Sequence, residues 1–159
     1  LIRIKFDYAP ILAPGRHNVS KSEFTRLFVT GRGPRRLELN FSLHKLMLEL
    51  EALGILCEVW VNGSFACEKQ SPSDVDVVVV VWHEVFVSLS NAAKDFLYTL
   101  QVPEEKYDGC IDAFLCVEYP KDHELYEYDN PEDWAQTFGS ENSDEWLKGF
   151  AVLEIGTQS

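Results

Sequence analysis

Two aspartates stand one residue apart at the entrance to the most apolar run of the chain, Asp74 and Asp76, and the five valines Val77 to Val81 follow. A third aspartate opens another apolar run, Ile111-Asp112-Ala113-Phe114-Leu115. A carboxylate withdrawn from water is costly unless something compensates it. Side chains two apart on a strand project to one face, so Asp74 and Asp76 point together. If the strand carrying Asp112 lies beside them, three negative charges converge within a few ångströms and repel by roughly several kcal/mol. A divalent cation removes that conflict. Mg²⁺ prefers carboxylate oxygens together with substrate phosphates and retained water. Two such ions can hold the attacking and leaving oxygens of an in-line phosphoryl transfer. Blander readings stand beside this one: a D-x-D at a strand start also serves as a cap or a solvent-facing edge, and a lone strand aspartate is commonly structural. On those readings no divalent ion binds, and neutralising Asp76 stabilises the fold.

Gly63-Ser64 follows the apolar segment Val59-Trp60-Val61, with nine residues between Ser64 and Asp74. Glycine after a strand lets the backbone approach a phosphate closely. The Ser64 hydroxyl and the N–H groups of the following turn are suited to phosphate oxygens. Alone, Gly-Ser after a strand is an ordinary turn.

The positioning elements are legible in outline. Ser20 and Glu23 have capping-box spacing, predicting a short helix to about Phe28, broken by Gly31, Gly33 and Pro34. Leu39, Leu43, Leu46, Met47, Leu50 and Leu53 recur at three and four, predicting a helix from Arg35 to Leu53 stopped by Gly54. Leu37, Phe41 and Leu48 widen its stripe, predicting contact with more than one element. Strands are expected at Leu56 to Val61, Asp74 to Trp82, Cys110 to Glu118 and Gly149 to Ile155. The unbroken valine run predicts a central strand covered on both faces. His83 to Leu100 reads as helical, best from Asn91. Asn130-Pro131 caps a short helix through Trp134. Residues 1–19, with Pro10, Pro14 and Gly15, read as an extended arm. The order predicts an α/β (α+β) fold, a small mixed sheet flanked by helices. Residues 1–159 form one domain: an arm and short helix (1–34), a core (35–118) and an acidic, aromatic region (119–159).

In that order and spacing, Gly63, Ser64, Asp74, Asp76 and Asp112 resemble the DNA polymerase beta-like nucleotidyltransferase superfamily over about Leu37 to Glu118. The small bacterial members, including minimal nucleotidyltransferases that serve as antitoxins, look closest. The segment Leu12-Ala13-Pro14-Gly15-Arg16-His17 with the Ser20 helix is also similar to the front of an uncharacterised bacterial nucleotidyltransferase-like family. The resemblance implies that Asp74 and Asp76 ligate Mg²⁺ or Mn²⁺, that Asp112 is the third ligand or base, and that Gly63 and Ser64 cradle a nucleoside triphosphate. A nucleoside monophosphate would pass to a hydroxyl of an RNA, a protein or a small molecule, in a toxin–antitoxin or phage-defence setting. Many minimal members carry an arginine soon after Gly-Ser. Here Phe65-Ala66-Cys67-Glu68-Lys69 follows, so Lys69 is the candidate phosphate cation, with Glu68 opposing it. The alternative is an inactive module of the same fold, acting as an antitoxin or complex subunit.

Other residues read as structural. His17 suits a surface loop, with contact to a phosphate or RNA beside Arg16 as the alternative, and His44 a packed or half-exposed helix position. Arg35-Arg36 reads as a solvated helix start, with an acidic partner as the alternative. Trp134, Phe138 and Trp146 offer rings for base stacking, but Glu132, Asp133, Asp144 and Glu145 beside them favour packing. Cys57, Cys67, Cys110 and Cys116 form no C-x-x-C pair and read as buried reduced thiols in a cytoplasmic protein, not zinc ligands. Across 159 residues the net charge is −12, which argues against broad non-specific adhesion to nucleic-acid backbone but leaves room for a local basic patch among Arg16, Arg26, Arg32, Arg35 and Arg36. No segment approaches the roughly 18 apolar residues of a membrane span, and no signal peptide is read. The sequence begins with Leu1, so the natural start is expected upstream.

Overall fold

The computed structural model of the chain describes residues 8–101, 106–138 and 149–156, with the side chains of 136–138 excluded. Five strands form one mixed sheet: β1 (Gly15–Asn18), β2 (Cys57–Asn62), β3 (Val75–Trp82), β4 (Ile111–Glu118) and β5 (Gly149–Ile155). Their order is β1-β5-β2-β3-β4. β1 pairs parallel with β5 and β3 parallel with β4, while β2 is antiparallel to both β3 and β5. The helices are α1 (Lys21–Phe28), α2 (Pro34–Ala52), α3 (His83–Ser88), α4 (Asn91–Thr99) and α5 (Pro131–Phe138). The expected α/β architecture is therefore the observed one.

The valine run sits where its composition requires. β3 is interior, with β2 on one side and β4 on the other. Val77, Val79 and Val81 pack with Leu39, Leu43, Leu46, Met47 and Leu50 of α2 and with Phe24 and Phe28 of α1. Val78 and Val80 turn to the opposite face, against Trp60, Cys116, Phe150 and Val152, with Trp134 of α5 packed over them. Each fully buried valine contributes roughly 1.5–3 kcal/mol of transfer free energy, so this two-sided strand anchors the site at its start.

The capping box at Ser20 is present in full: the Ser20 side chain accepts from Glu23 N–H and the Glu23 carboxylate accepts from Ser20 N–H. Two expectations need correction. The N-terminal arm is not merely extended; Gly15–Asn18 joins the sheet as its edge strand beside β5. Leu37, Phe41 and Leu48 do not join α2 to further elements but lie on its outer face, 61%, 75% and 59% exposed. Among the described residues, no helix is long and apolar enough to cross a membrane.

Candidate active site

The three aspartates meet. In register, Asp76 of β3 lies beside Asp112 of β4 on one side and Asn62 of β2 on the other. Asp74 immediately precedes β3. Ligand oxygens of Asp74, Asp76 and Asp112 all lie within 4.8 Å of one another, and all three residues are half-buried. By strand alternation Asp76 and Asp112 share the face of Val78 and Phe114, the side that α5 covers further along. Unit charges at that separation repel by roughly 3–4 kcal/mol per pair at an effective dielectric near 20. The Asp74 carboxyl shows the strain: burial first, then the Asp112 charge, push its pKa above the usual aspartate value, and Arg35 and Lys69 oppose the shift. An all-oxygen set of three carboxylates is the donor chemistry of Mg²⁺ and Mn²⁺ rather than of zinc.

Gly63 begins a single 3₁₀ turn, Gly63–Ala66, directly after β2. Its φ is +70°, in the region that glycine adopts without penalty. A Cβ at this position would stand 1.8 Å from Asp76 Oδ2. The Gly-Ser turn and the carboxylate cluster are therefore in direct contact, with the glycine Cα against the Asp76 carboxylate. Ser64 and Lys69 are both half-buried on the same connection. Glu68, expected to work against a triphosphate, is paired with Arg32 at 2.5 Å.

Arg36 was expected at a solvated helix start. It is instead 1% exposed and sits beneath the turn. Its guanidinium donates to the carbonyls of Phe28 (3.0 Å), Phe65 (2.7 Å), Cys67 (2.5 Å) and Lys69 (2.7 Å), and it lies 4.8 Å from the Phe65 ring centroid. Burial, more than neighbouring Arg32, lowers its pKa from the ordinary arginine value. Arg35 likewise donates to main chain, to Pro72 O at 3.2 Å and to Ser73 O, and to the Glu38 carboxylate at 2.9 Å. Consecutive arginines at the start of α2 thus hold both walls of the site, Arg36 the turn after β2 and Arg35 the approach to Asp74. Sequence reasoning missed this role. Its signal was two cations in the first helical turn, where the helix dipole disfavours positive charge, so that each needs a specific partner. Residues 9–11 brace the turn from outside, through Glu68 N–H to Ala9 O at 2.8 Å and Ile11 N–H to Ala66 O at 3.1 Å.

His17 lies in β1, not a loop, with Nε2 at 2.7 Å from Ala13 O, and His44 is half-exposed on α2. Trp134 packs on Phe114, ring centroids 5.4 Å apart. The Phe138 side chain and Asp144, Glu145 and Trp146 lie outside the described residues. All four cysteines are buried and unpaired by disulfides.

Fold and site together define a mixed-sheet α/β domain with a three-carboxylate cluster at a Gly-Ser turn. The chain belongs to a family of unknown function, DUF6932, whose family model matches residues 4–154. No curated protein and no solved structure matches it.

Proposed function

We propose that this chain is a divalent-metal-dependent nucleotidyltransferase that moves a nucleoside monophosphate from a triphosphate to an acceptor hydroxyl. The observation that carries the reading is the convergence of Asp74, Asp76 and Asp112 within 4.8 Å, with Gly63 pressed against Asp76. Asp74 and Asp76 would hold Mg²⁺ or Mn²⁺, and Asp112 completes the set. Bound there, the ion neutralises charge on the phosphoryl oxygens and the attacking oxygen. The acceptor oxygen bonds to the α-phosphorus while the bond from that phosphorus to its bridging oxygen breaks, releasing pyrophosphate. Asp112 accepts the hydroxyl proton. Gly63 and Ser64 hold phosphate oxygens through main chain and hydroxyl, and Lys69 adds a positive charge near Asp74. The protein's contribution is positioning and fixed charge. The acceptor is an RNA, a protein side chain or a small molecule, and a toxin–antitoxin or phage-defence setting accords with the sequence resemblance.

The test is transfer of label from α-phosphate-labelled nucleoside triphosphates to pooled RNA, protein and small-molecule acceptors, with Mg²⁺ or Mn²⁺. Asp74→Ala is expected to lower transfer by about 10²–10³-fold, the scale of losing one fixed electrostatic contact to a transition state. Absence of transfer with either ion, together with no ion-dependent change in melting temperature, would sink the reading. One observation favours a second: the guanidinium groups of Arg35 and Arg36 are both engaged by main-chain carbonyls, which leaves the turn poor in phosphate-binding charge. A non-catalytic module of the same fold would bind its partner undiminished in Asp76→Ala and show no turnover.

A further inference from the structure

At the other end of β4 from the aspartates lies an open pocket of about 240 Å³. Val117, in its wall, is five residues along β4 from Asp112, roughly 16 Å at strand rise. Phe86, Tyr98, Leu115 and Tyr119 give it an apolar and aromatic lining, and Asp129 supplies a carboxylate. We infer that this pocket binds an organic cation, a guanidinium or alkylammonium group.

The carboxylate argues for the charge. Asp129 Oδ2 accepts the Val117 N–H at 2.8 Å, which fixes the group against the strand edge. Asp129 is half-buried, and no lysine, arginine or histidine pairs with it among the described residues. A partly desolvated carboxylate held among aromatic rings is stabilised by a cation that reaches it. The rings argue for an organic one. Phe86 and Tyr98 meet edge to face at 5.9 Å. Tyr119 is held by His83 and His123, at 4.9 Å and 4.7 Å. Lys94 Nζ already lies 5.8 Å from the Phe86 ring centroid, so the faces left to a guest are those of Tyr98 and Tyr119. Aromatic faces attract guanidinium and ammonium groups through their quadrupoles, whereas a small hydrated metal ion gains nothing from them. The size argues for a small occupant. The volume lies below the roughly 300 Å³ at which drug-sized ligand pockets begin, and it suits a charged head with a short alkyl stem.

That chemistry has two sources, a free amine or guanidine and an arginine or lysine side chain brought in by another polypeptide. Among the described residues no strand lies outside β4. The outward N–H of Val117 is taken by Asp129, while by alternation the main-chain groups of Ala113 and Leu115 also point away from β3. An extended segment laid along that side would add strand hydrogen bonds to the cation contact.

The test is an NMR titration of the full chain, following the ring signals of Tyr98 and Tyr119. The probes are n-butylguanidinium, neutral n-butanol and KCl at matched ionic strength. Saturating shifts with n-butylguanidinium alone are expected. Asp129→Asn, whose amide oxygen can still accept the Val117 N–H, is expected to weaken the midpoint at least tenfold. A titration with acetyl-Val-Arg-Val-amide separates the sources. A midpoint at least tenfold tighter than that of the free cation identifies a side chain delivered along β4, and an equal midpoint identifies a free cation. Equal response to n-butanol or KCl, or an unchanged midpoint in Asp129→Asn, overturns the inference.

Discussion

A methyl group is enough to probe the link between the turn and the carboxylates. At Gly63 it would meet Asp76 Oδ2 at 1.8 Å and Cγ at 2.7 Å, on a backbone with φ +70°. Gly31 has nearly the same φ, +72°, and nothing within 4 Å of its missing Cβ. Gly31→Ala should therefore report left-handed strain alone, about 1–2 kcal/mol. Gly63→Ala should cost roughly 1–3 kcal/mol more, because Asp76 must move or the turn must open. Urea denaturation of the two variants checks this, and equal losses would mean that turn and carboxylate are not in contact. Strand alternation alone put Asp74 and Asp76 on one face, whereas Asp112 joins them only because β4 lies beside β3, which residue spacing left as a condition. Two cations in the first turn of α2 signalled that Arg36 needs a partner but not which one, because its acceptors are carbonyls of Phe28, Phe65, Cys67 and Lys69 brought together only by the fold. Main-chain acceptors leave no trace in residue type.

Helix α2 shows what periodicity does and does not specify. Leu43 is fully buried while Phe41, two residues away, is 75% exposed. Leu43→Ala is expected to lose roughly 2–5 kcal/mol. Phe41→Ser should change stability by less than about 0.5 kcal/mol, measured by the same denaturation. A loss near that of Leu43→Ala would mean that the outer stripe is covered in solution. Both stripes have helical spacing, and nothing in the spacing says which one meets the sheet. Strand β1 failed to register for the converse reason. Gly15-Arg16-His17-Asn18 has no apolar alternation, and its strand character comes from pairing with Gly149–Val152 at the far end of the sequence. The central strands were legible because β3, buried on both faces, needed valines on both.

Across the whole molecule, acidity sets the response to pH and to metal. The pKa of Asp74 is raised above its ordinary 3.8 by burial and by Asp112. A carboxyl raised in the folded state contributes stability that is complete below its unfolded pKa and is lost as pH climbs through the folded value. In buffer free of divalent ions, wild-type stability relative to Asp74→Asn should therefore fall as pH rises from 3.8 through that raised value. A bound cation reverses the preference, because it favours the ionised cluster. Millimolar Mg²⁺ or Mn²⁺ should raise the wild-type melting temperature at neutral pH, through a stabilisation that reaches about 2.7 kcal/mol at one hundred times the dissociation constant. The increment should vanish in acid and in Asp74→Asn. A melting temperature indifferent to both ions would mean that the aspartates hold no metal.

The place of β5 between β1 and β2 has a consequence for synthesis. A nascent chain leaving the ribosome presents β2, β3 and β4 well before residues 149–155 emerge, and until then one flank of β2 has no strand to bond with. Pairings between distant segments form slowly, and an unpaired strand flank invites other chains. The sheet is closed from within, by the strand translated last among the five.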